Sequence, residues 1–436
     1  MDINTFDTRS LSIASYLAQG STPDTSRNMG FELEHFVVMK DTNAFVPYAS
    51  DPITGILGID EVLLRLSAFF DERIYEQHSD FSSSLIGLSR DLAAISLEPG
   101  AQLEISIGPS PSLADLEEQY LLFRKQIDPI LDEMGYELVA FGYHPTARAT
   151  EIPLIPKDRY HHMARYFEQT GKHGICMMRA TAALQASVDF SSEADAVQKL
   201  RIAHALGPFF SFITDNTPVF EGVGVTKAST PQRMARMVTW DDCDPHRCLT
   251  PSVLFDDDFG FVSYAEALLQ VPAVFTHASD CDATMYQGFA PFSQVLAHQA
   301  LDRITIEHVL SLVFYDARLK RYIEIRQADS LPIAYSLAFV ALIKGVFYNE
   351  DALEHYASRF AYLDPAAIAF AKTALRTDGF DAIVYQRPST EWLDELITFA
   401  YAGLKADEHR YLQPLADLVK QRTTLLDLAI ATPREI

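Results

Sequence analysis

Glutamate recurs on the polar side of several segments that read as β-strands, and this feature constrains the fold more than any other. Side chains of a strand alternate between its two faces, so Glu32 and Glu34 share one face of the segment 29–39 (MGFELEHFVVM). Glu104 in QLEIS and Glu324 in RYIEIRQ occupy the same kind of polar face, opposite leucine and isoleucine. We therefore predict a sheet with one apolar face and one face rich in carboxylates.

The stretch 95–107, ISLEPGAQLEISI, carries two glutamates on either side of a Pro-Gly pair. We interpret it as one strand with a kink at Pro99 and Gly100, since both residue types interrupt regular structure. The kink would let the carboxylates of Glu98 and Glu104 reach one site from different levels along the strand.

Helical and strand periodicities are mixed along the rest of the chain. Apolar spacing predicts helices over 60–73, 112–135, 156–170 and 193–214, and an almost wholly helical region from residue 333 onward. It predicts further strands over 136–142, 175–190 and 321–327. The order lacks a strand–helix–strand rhythm, which favours an α+β fold with an antiparallel sheet.

The composition supports a packed core and excludes two classes of partner. Hydrophobic residues make up 48% and charged residues 22% of the 436-residue chain, as in globular proteins. The formal net charge of −24 disfavours binding to nucleic acid or to an anionic membrane. An anionic substrate would therefore need local arginine, lysine or metal ions.

We expect a cytoplasmic protein. The segment MDINTFDTRS has no basic start followed by an apolar core, unlike a secretory signal, and the apolar stretch 336–348 is too short to span a bilayer. The cysteines form neither a CxxC pair nor a disulfide-framework spacing, which indicates reduced and mostly inert thiols. A redox pair between Cys243 and Cys248 is the less favoured alternative. The cysteines are Cys176, Cys243, Cys248 and Cys281.

The glutamate-bearing face has two interpretations. For a single strand, a solvent-exposed face is the simpler one. For three strands together it is weaker, because no lysine relieves the charge and two carboxylates about 4 Å apart repel by roughly 4 kcal/mol at an effective dielectric constant of 20. A fold that gathers them must protonate some or bind cations. Mg²⁺ and Mn²⁺ prefer oxygen ligands and commonly clamp nucleotide phosphates.

Arginines are the candidates to balance the charge of a substrate, because guanidinium suits carboxylate and phosphate equally. Arg326 shares a face with Glu324, and Arg179 shares its predicted strand face with Thr181 and Gln185. Arg233 is a third candidate. The sequence contains neither GxxxxGK[ST] nor GxGxxG, and neither GxSxG nor HExxH, so a nucleotide site would be of another type.

Several segments, taken in order, resemble those of glutamate–cysteine ligases of the plant and proteobacterial type. They are GFELEHF, ISLEPGAQLEIS, PKDRYHHMARYF, MMRATAALQASVDFSSEAD, TPQRMARMVTWDDCDPHR, FDDDFGF and ARLKRYIEIRQAD. The resemblance covers residues 29–350. It implies a glutamine-synthetase-like fold, in which helices pack outside a cupped antiparallel sheet and the C-terminal part is mostly helical.

The resemblance also implies an activity. Enzymes of this family join the γ-carboxylate of L-glutamate to the amine of L-cysteine at the expense of ATP, through a γ-glutamyl phosphate, as the first step of glutathione synthesis. Two or three Mg²⁺ ions, with Mn²⁺ as an alternative, would lie between ATP and the substrate. The implied metal ligands are Glu32, Glu34, Glu98, Glu104, Gln185 and Glu324.

Roles for the basic residues follow from the same resemblance. Arg326, together with Glu324, would act in catalysis by stabilising charge on the transferred phosphoryl group. The residues that would hold glutamate are Arg179, Thr181 and Arg233. The residues that would bind ATP phosphates are Lys157, Arg318 and Lys320, for which ordinary surface ion pairs are an equally good interpretation.

The sequence departs from the family pattern where the substrate pocket is expected. It has QASVDF where the family usually has QVNLDY, and Arg247-Cys248-Leu249 where the family usually has DRTG. The amine acceptor therefore stays open. A γ-glutamyl ligase with another amine is one alternative, and a non-catalytic metal- or nucleotide-binding homologue is a second. Trp240 either lines the pocket or belongs to the core.

We expect three parts in the chain: an N-terminal extension over 1–28, a catalytic domain over 29–350, and a helical segment over 351–436 packed on that domain. The expected partners are glutamate, cysteine and ATP. The protein is expected to be a monomer or a homodimer.

Overall fold

The computed structural model describes residues 7–23, 26–78, 82–224, 233–277 and 284–431. Cys281 lies outside these ranges. Within them, no helix is both long enough and apolar enough to cross a bilayer.

A large antiparallel sheet organises the molecule. The strands are β1 (Met29–Met39), β2 (Glu72–Gln77), β3 (Ser83–Arg90), β4 (Ala93–Leu97), β5 (Leu103–Ser110), β6 (Tyr136–Val139), β7 (Ala183–Val188), β8 (Val219–Phe220), β9 (Val223–Gly224), β10 (Pro272–His277), β11 (Thr284–Pro291), β12 (Ala317–Leu319), β13 (Ile323–Asp329), β14 (Ile383–Val384) and β15 (Arg387–Pro388). Nine of them form one sheet in the order β12-β13-β7-β1-β5-β4-β3-β2, with β6 paired to β1. All pairs in it are antiparallel, which confirms the predicted fold class.

Helices surround the sheet and make up most of the C-terminal part. They are α1 (Thr8–Ala18), α2 (Ile59–Leu66), α3 (Leu113–Met134), α4 (Asp158–Phe167), α5 (Gly174–Ala180), α6 (Glu193–Ile213), α7 (Ala235–Asp241), α8 (Phe261–Leu269), α9 (Phe292–Val295), α10 (Arg303–Ser311), α11 (Ile333–Phe347), α12 (Glu350–Arg359), α13 (Pro365–Asp378), α14 (Ser389–Gly403), α15 (His409–Gln421) and α16 (Leu425–Ala431). The predicted helical region from residue 333 onward is confirmed, with the small β14–β15 hairpin inside it.

The large sheet is apolar on one face and polar on the other. Leu33 of β1, Ile105 of β5 and Ile325 of β13 are fully buried, and α6 and α11 pack against β13, β7 and β1. The side chains on the opposite face alternate with these by the period of two. Glu34 of β1 accordingly lies directly opposite Glu104 of β5 in the ladder.

The predicted helix over 112–135 is confirmed almost to the residue. Ser112 caps α3 by accepting a hydrogen bond from the backbone N–H of Asp115, and Gly135 ends it in the left-handed conformation with φ of 76°. Both are the favoured residue types at these positions. Residues 193–214 likewise form α6, capped by Ser192.

One predicted strand and one predicted helix have a different structure. Residues 175–190 divide into α5 and β7, so Arg179 lies on a helix rather than on a strand face. Met, Arg and Ala are good helix formers, and a short apolar run does not distinguish a helix from a strand by periodicity alone. The predicted helix over 60–73 ends at Leu66, and β2 begins at Glu72.

The stretch 95–107 is a hairpin rather than one kinked strand. β4 ends at Leu97 and β5 begins at Leu103, and the connection is closed by the N–H of Glu98 donating to the carbonyl of Gln102 at 3.0 Å. A Cβ at Gly100 would lie 2.2 Å from the carbonyl oxygen of Arg179, so only glycine allows this turn to approach the end of α5.

Candidate active site

A cavity of about 320 Å³ opens on the polar face of the sheet. Of the predicted site residues it brings together Glu32, Glu34, Glu98, Glu104, Lys157, Thr181, Gln185, Arg318, Lys320 and Arg326. Its walls also include Ser96, Arg159, Tyr160, Met163, Met177, Met178, Trp240 and Phe314. Residues from seven distant segments therefore meet in one place, which makes this cavity the candidate active site.

Carboxylates without basic partners occupy one side of the cavity. Glu34 accepts hydrogen bonds from the backbone N–H of Ala183 at 2.8 Å and from Nε2 of Gln185 at 3.0 Å, and Glu104 accepts one from Oγ of Ser96 at 2.6 Å. Among the described residues, none of the side chains of Glu32, Glu34, Glu98 and Glu104 forms an ion pair with a basic side chain. This side of the cavity must therefore take up protons or bind a cation.

The pKa values reflect this crowding. Burial and the charge of Glu98 raise the pKa of Glu34 to about 8. Burial and the charges of Glu32, Glu98 and Glu34 raise the pKa of Glu104 well above its usual value, and burial together with Glu324 raises that of Glu32. Ionising the cluster is therefore costly without a bound cation.

Glu324, which is fully buried, has the opposite surroundings. Its two carboxylate oxygens contact Nζ of Lys320 at 2.7 Å, Nη2 of Arg318 at 2.7 Å and Nη1 of Arg326 at 2.9 Å. Burial opposes ionisation, but the three cations outweigh it and hold the pKa of Glu324 well below its usual range. The hairpin geometry accounts for the arrangement, because Arg318 of β12 lies directly opposite Glu324 of β13.

The oxygen-rich side is suited to a hard divalent cation by its chemistry. In the part of the chain that the structure describes, however, no three His, Cys, Asp or Glu side chains converge as a metal site. Ligation would require the side chains of the cluster to turn toward a common point. The predicted ligand roles, including that of Glu324 with its two engaged oxygens, therefore stay predictions.

Two further cations line the cavity from α4 and its N-cap. Lys157 lies 5.0 Å from the ring centroid of Tyr160, and Arg159 packs over the same ring at 5.6 Å. Burial and the charge of Arg159 lower the pKa of Lys157. Nε of Arg159 is buried and has no hydrogen-bond partner in the described structure, so this side chain has donor capacity to spare for a ligand.

The structure does not bring all three predicted glutamate-holding residues to the cavity. Thr181 lines it, whereas Arg179 and Arg233 are not among its lining residues. Arg179 lies on α5, and its Nη1 donates to the carbonyl of Ile152 at 3.0 Å. Arg233 forms an ion pair with Asp427 of α16.

Arg236 is the functional candidate that the sequence analysis missed. It is buried, packs 5.6 Å from the ring centroid of Trp240, and its charge lowers the pKa of Glu34. Its Nε has no hydrogen-bond partner in the described structure. Both Arg236 and Trp240 lie on α7, and the ring of Trp240 forms a wall of the cavity. Arg236 follows Arg233 by three residues in the sequence, but only the fold shows which of the two arginines is buried beside Trp240.

A second cavity of about 450 Å³ adjoins the first along the same sheet face. The two share Glu32. The floor of the second consists of residues with small side chains, Gly30, Ala94, Ser106 and Ser187, and Arg90, Arg321 and Tyr322 lie at its edges. The polar face of the sheet therefore offers room for an elongated ligand.

The described cysteines are removed from this chemistry. Cys243 and Cys248 are buried free thiols, and a hydrogen bond with Cys248 together with burial raises the pKa of Cys243. Burial also raises the pKa of Cys176. Raised thiol pKa values disfavour the reactive thiolate.

Comparison with known proteins gives consistent results. A family model described as glutamate-cysteine ligase family 2 matches residues 28–426. The chain is 31% identical over 348 residues to the chloroplastic glutamate–cysteine ligase B of Oryza sativa subsp. japonica, an alignment that covers 78% of this chain and 66% of the rice protein. It is 31% identical over 423 residues to the chloroplastic glutamate–cysteine ligase of Brassica juncea, covering 94% of this chain and 78% of that protein.

A solved structure shares the fold. The crystal structure of a glutamate–cysteine ligase from Francisella tularensis in complex with AMP superposes with a TM-score of 0.56, covering 94% of this chain and 85% of that one at 13% identity. At this identity the likeness is one of fold.

The predicted cytoplasmic location is wrong in the light of these relatives. The rice, Arabidopsis and Brassica proteins are all named as chloroplastic. Their names point to a plastid rather than to the cytoplasm.

Proposed function

The chain belongs to the glutamate–cysteine ligase family 2, and we propose that it joins the γ-carboxylate of L-glutamate to the amine of L-cysteine with consumption of ATP. One observation carries this proposal. A single cavity combines four glutamates without basic partners and an Arg–Lys–Arg group around the buried Glu324. Such a site suits a reaction between two anions, a carboxylate and a nucleotide polyphosphate.

The proposed reaction has two steps. An oxygen of the glutamate γ-carboxylate attacks the γ-phosphorus of ATP, the bond to the bridging oxygen breaks, and ADP leaves. The neutral amine of cysteine, having lost a proton, then attacks the acyl carbon, and phosphate departs with the former carboxylate oxygen. In this proposal Arg326 and Arg318 would stabilise the charge on the transferred phosphoryl group, and the ion pairs of both guanidinium groups with Glu324 support this role.

We further propose that Mg²⁺ binds the glutamate cluster. Bound there, the ion would neutralise phosphate and carboxylate charge at the point of transfer. The raised pKa values of Glu32, Glu34 and Glu104 support this, since they arise from burial and from neighbouring carboxylates, and a divalent cation would favour the ionised form of all three groups. The residues that would supply oxygen ligands are Glu32, Glu34, Glu98, Glu104 and Gln185, with Glu324 as a further candidate.

We assign the two ends of the site from the shapes of the two cavities. The nucleoside fits the second cavity, where Gly30, Ala94 and Ser106 leave an open strip of sheet next to Glu32. Glutamate fits the first cavity, where Thr181 lines the wall and Arg236 lies behind it. We propose Arg236 for the role predicted for Arg233, because Arg236, although not a lining residue, is buried on α7 beside Trp240, which lines the first cavity.

The test is ADP release by the purified protein. We expect release to require glutamate, cysteine and Mg²⁺ together, and mass spectrometry to show γ-glutamylcysteine. A product with another amine from a mixed panel would favour the γ-glutamyl ligase with a different acceptor. No ADP with any amine would leave the non-catalytic homologue as the better account. We expect the substitution Glu324→Ala to reduce ADP release strongly. Glu118→Ala, which removes an exposed glutamate of α3, serves as its control and should leave ADP release unchanged.

A further inference from the structure

Lys372 is buried between two half-buried carboxylates. It lies on α13, in the C-terminal helical part, and its side chain is 6% exposed. Its Nζ is 2.7 Å from Oδ1 of Asp241 and 2.7 Å from Oδ2 of Asp316. Burial disfavours the charged amine, but the two carboxylates outweigh burial and raise the pKa of Lys372. The lysine is therefore a fixed cation that links three segments of the chain.

Each carboxylate belongs to a segment that carries a wall of the active site. Asp241 is the last residue of α7 and directly follows Trp240, which lines the first cavity. The ring centroid of Trp240 lies 5.8 Å from the guanidinium of Arg326. α7 thus positions one wall of the cavity and its contact with the phosphoryl-side arginine.

Asp316 is attached to the β12–β13 hairpin, which carries Arg318 and Arg326. Its carbonyl oxygen accepts a hydrogen bond from the backbone N–H of Arg326 at 2.9 Å. It also immediately precedes β12, which carries Arg318. A shift of Asp316 would therefore move both arginines that hold Glu324.

We propose that Lys372 is a positioning residue of the active site, whose ammonium group ties α7 to the β12–β13 hairpin and so fixes the distance between Trp240 and Arg326. The expected effect on kcat/KM rests on the proposed function. The expected change in the surroundings of Trp240 can be measured even if the protein has no activity. Without Lys372, the two half-buried carboxylates would face each other unpaired. They would repel each other or take up protons, and either response loosens the contact between α7 and β12.

The chain offers a matched control in Lys344 of α11. This lysine is as buried as Lys372, at 6% exposure, and forms an ion pair with Glu408 of α15. Its other contact is the carbonyl of Pro111. None of these partners lines either cavity. Loss of Lys344 therefore reports the cost of a buried ion pair alone.

The experiment compares Lys372→Met with Lys344→Met in a Trp392→Phe background, in which Trp240 is the remaining tryptophan of the two. We expect Lys372→Met to shift the emission and raise the acrylamide quenching of Trp240, and to lower kcat/KM for ADP release about a hundredfold, as misplacement of a catalytic group by about 1 Å does. Lys344→Met should lower the melting temperature but leave both readouts unchanged.

Equal behaviour of the two variants in emission and kinetics would overturn the proposal. If Lys372→Met does not fold, Asp241→Asn replaces it, since this change removes one ionic contact with no change in size. We expect it to shift Trp240 emission and reduce kcat/KM about tenfold, and no change in either would overturn the proposal. A wild-type protein that releases no ADP would refute the proposed function, whereas the emission comparison would still test the positioning role.

Discussion

The substitution Glu104→Gln distinguishes two interpretations of the carboxylate cluster. In one the cluster needs a bound cation, and in the other it is merely polar. Glutamine has the same size, and its Oε1 can still accept the hydrogen bond from Ser96. The change removes one negative charge directly opposite Glu34 in the β1–β5 ladder. We therefore expect it to stabilise the metal-free protein while abolishing the activity that the cluster supports.

The magnitude follows from the geometry of the ladder. Opposed residues on antiparallel strands have Cβ atoms about 5 Å apart, so their carboxylates lie roughly 6 Å apart and repel by about 3 kcal/mol at an effective dielectric constant of 20. The sign depends on pH. Because the pKa of Glu34 is raised from 4.5 to about 8, the folded state binds protons more tightly, and stability falls as pH rises through this window.

The assay is denaturant unfolding at pH 5 and pH 9, with and without Mg²⁺. At pH 5 the two proteins should be equally stable, and at pH 9 without Mg²⁺ the variant should be more stable by about 2–3 kcal/mol. At a Mg²⁺ concentration a hundred times the dissociation constant, the wild type should gain about 2.7 kcal/mol and the variant much less. A variant that is less stable at pH 9, or that gains as much from Mg²⁺ as the wild type, would refute the reasoning.

The remaining predictions concern single residues. Arg236→Ala should raise the KM for glutamate by about 10–100-fold, which is the cost of a lost charge-assisted hydrogen bond. Arg233→Ala should leave KM unchanged and cost at most about 1 kcal/mol of stability. Steady-state kinetics on both variants would decide which arginine binds glutamate. Glu324→Ala should lower kcat by roughly a thousandfold or more, and full activity would contradict its role. Burial and Arg124 lower the pKa of His35 from 6.5 to about 3. The free energy of unfolding of the wild type should therefore fall by up to about 5 kcal/mol as pH falls through that range. Denaturant unfolding at pH 7 and pH 4 should show a smaller decrease for His35→Gln.

The features that could be predicted from sequence are those set by local periodicity. Glu32 and Glu34 lie on one face of β1 because side chains in a strand alternate with a period of two, which does not depend on contacts with other segments. The same rule placed Glu104 and Glu324 on that face once each segment was recognised as a strand. Ser112 and Gly135 marked the ends of α3 because capping depends on a few neighbouring residues.

The features that could not be predicted depend on contacts between distant segments. Arg179 was misplaced because a short apolar run is ambiguous between helix and strand, and only packing of α5 against the β4–β5 turn at Gly100 decides it. The choice between Arg233, which precedes α7, and Arg236, which lies on it, depends on how α7 packs against the rest of the fold. The pairing of Glu324 with Arg318 requires the register of the β12–β13 hairpin.

The distribution of charge within the site explains why the chain keeps so costly a cluster. One side presents Glu32, Glu34 and Glu104, whose pKa values are raised by burial and by neighbouring carboxylates. The other side presents Arg326 and Lys320 around a buried glutamate. Neither side is neutral by itself, so a ligand must bring positive charge to the first and negative charge to the second. A nucleotide polyphosphate with its divalent cation has this polarity along its length, whereas a free metal ion or a free anion would satisfy only one side. The proposed function therefore predicts that Mg²⁺ and ATP bind with positive coupling, and independent binding of the two in calorimetry would contradict it.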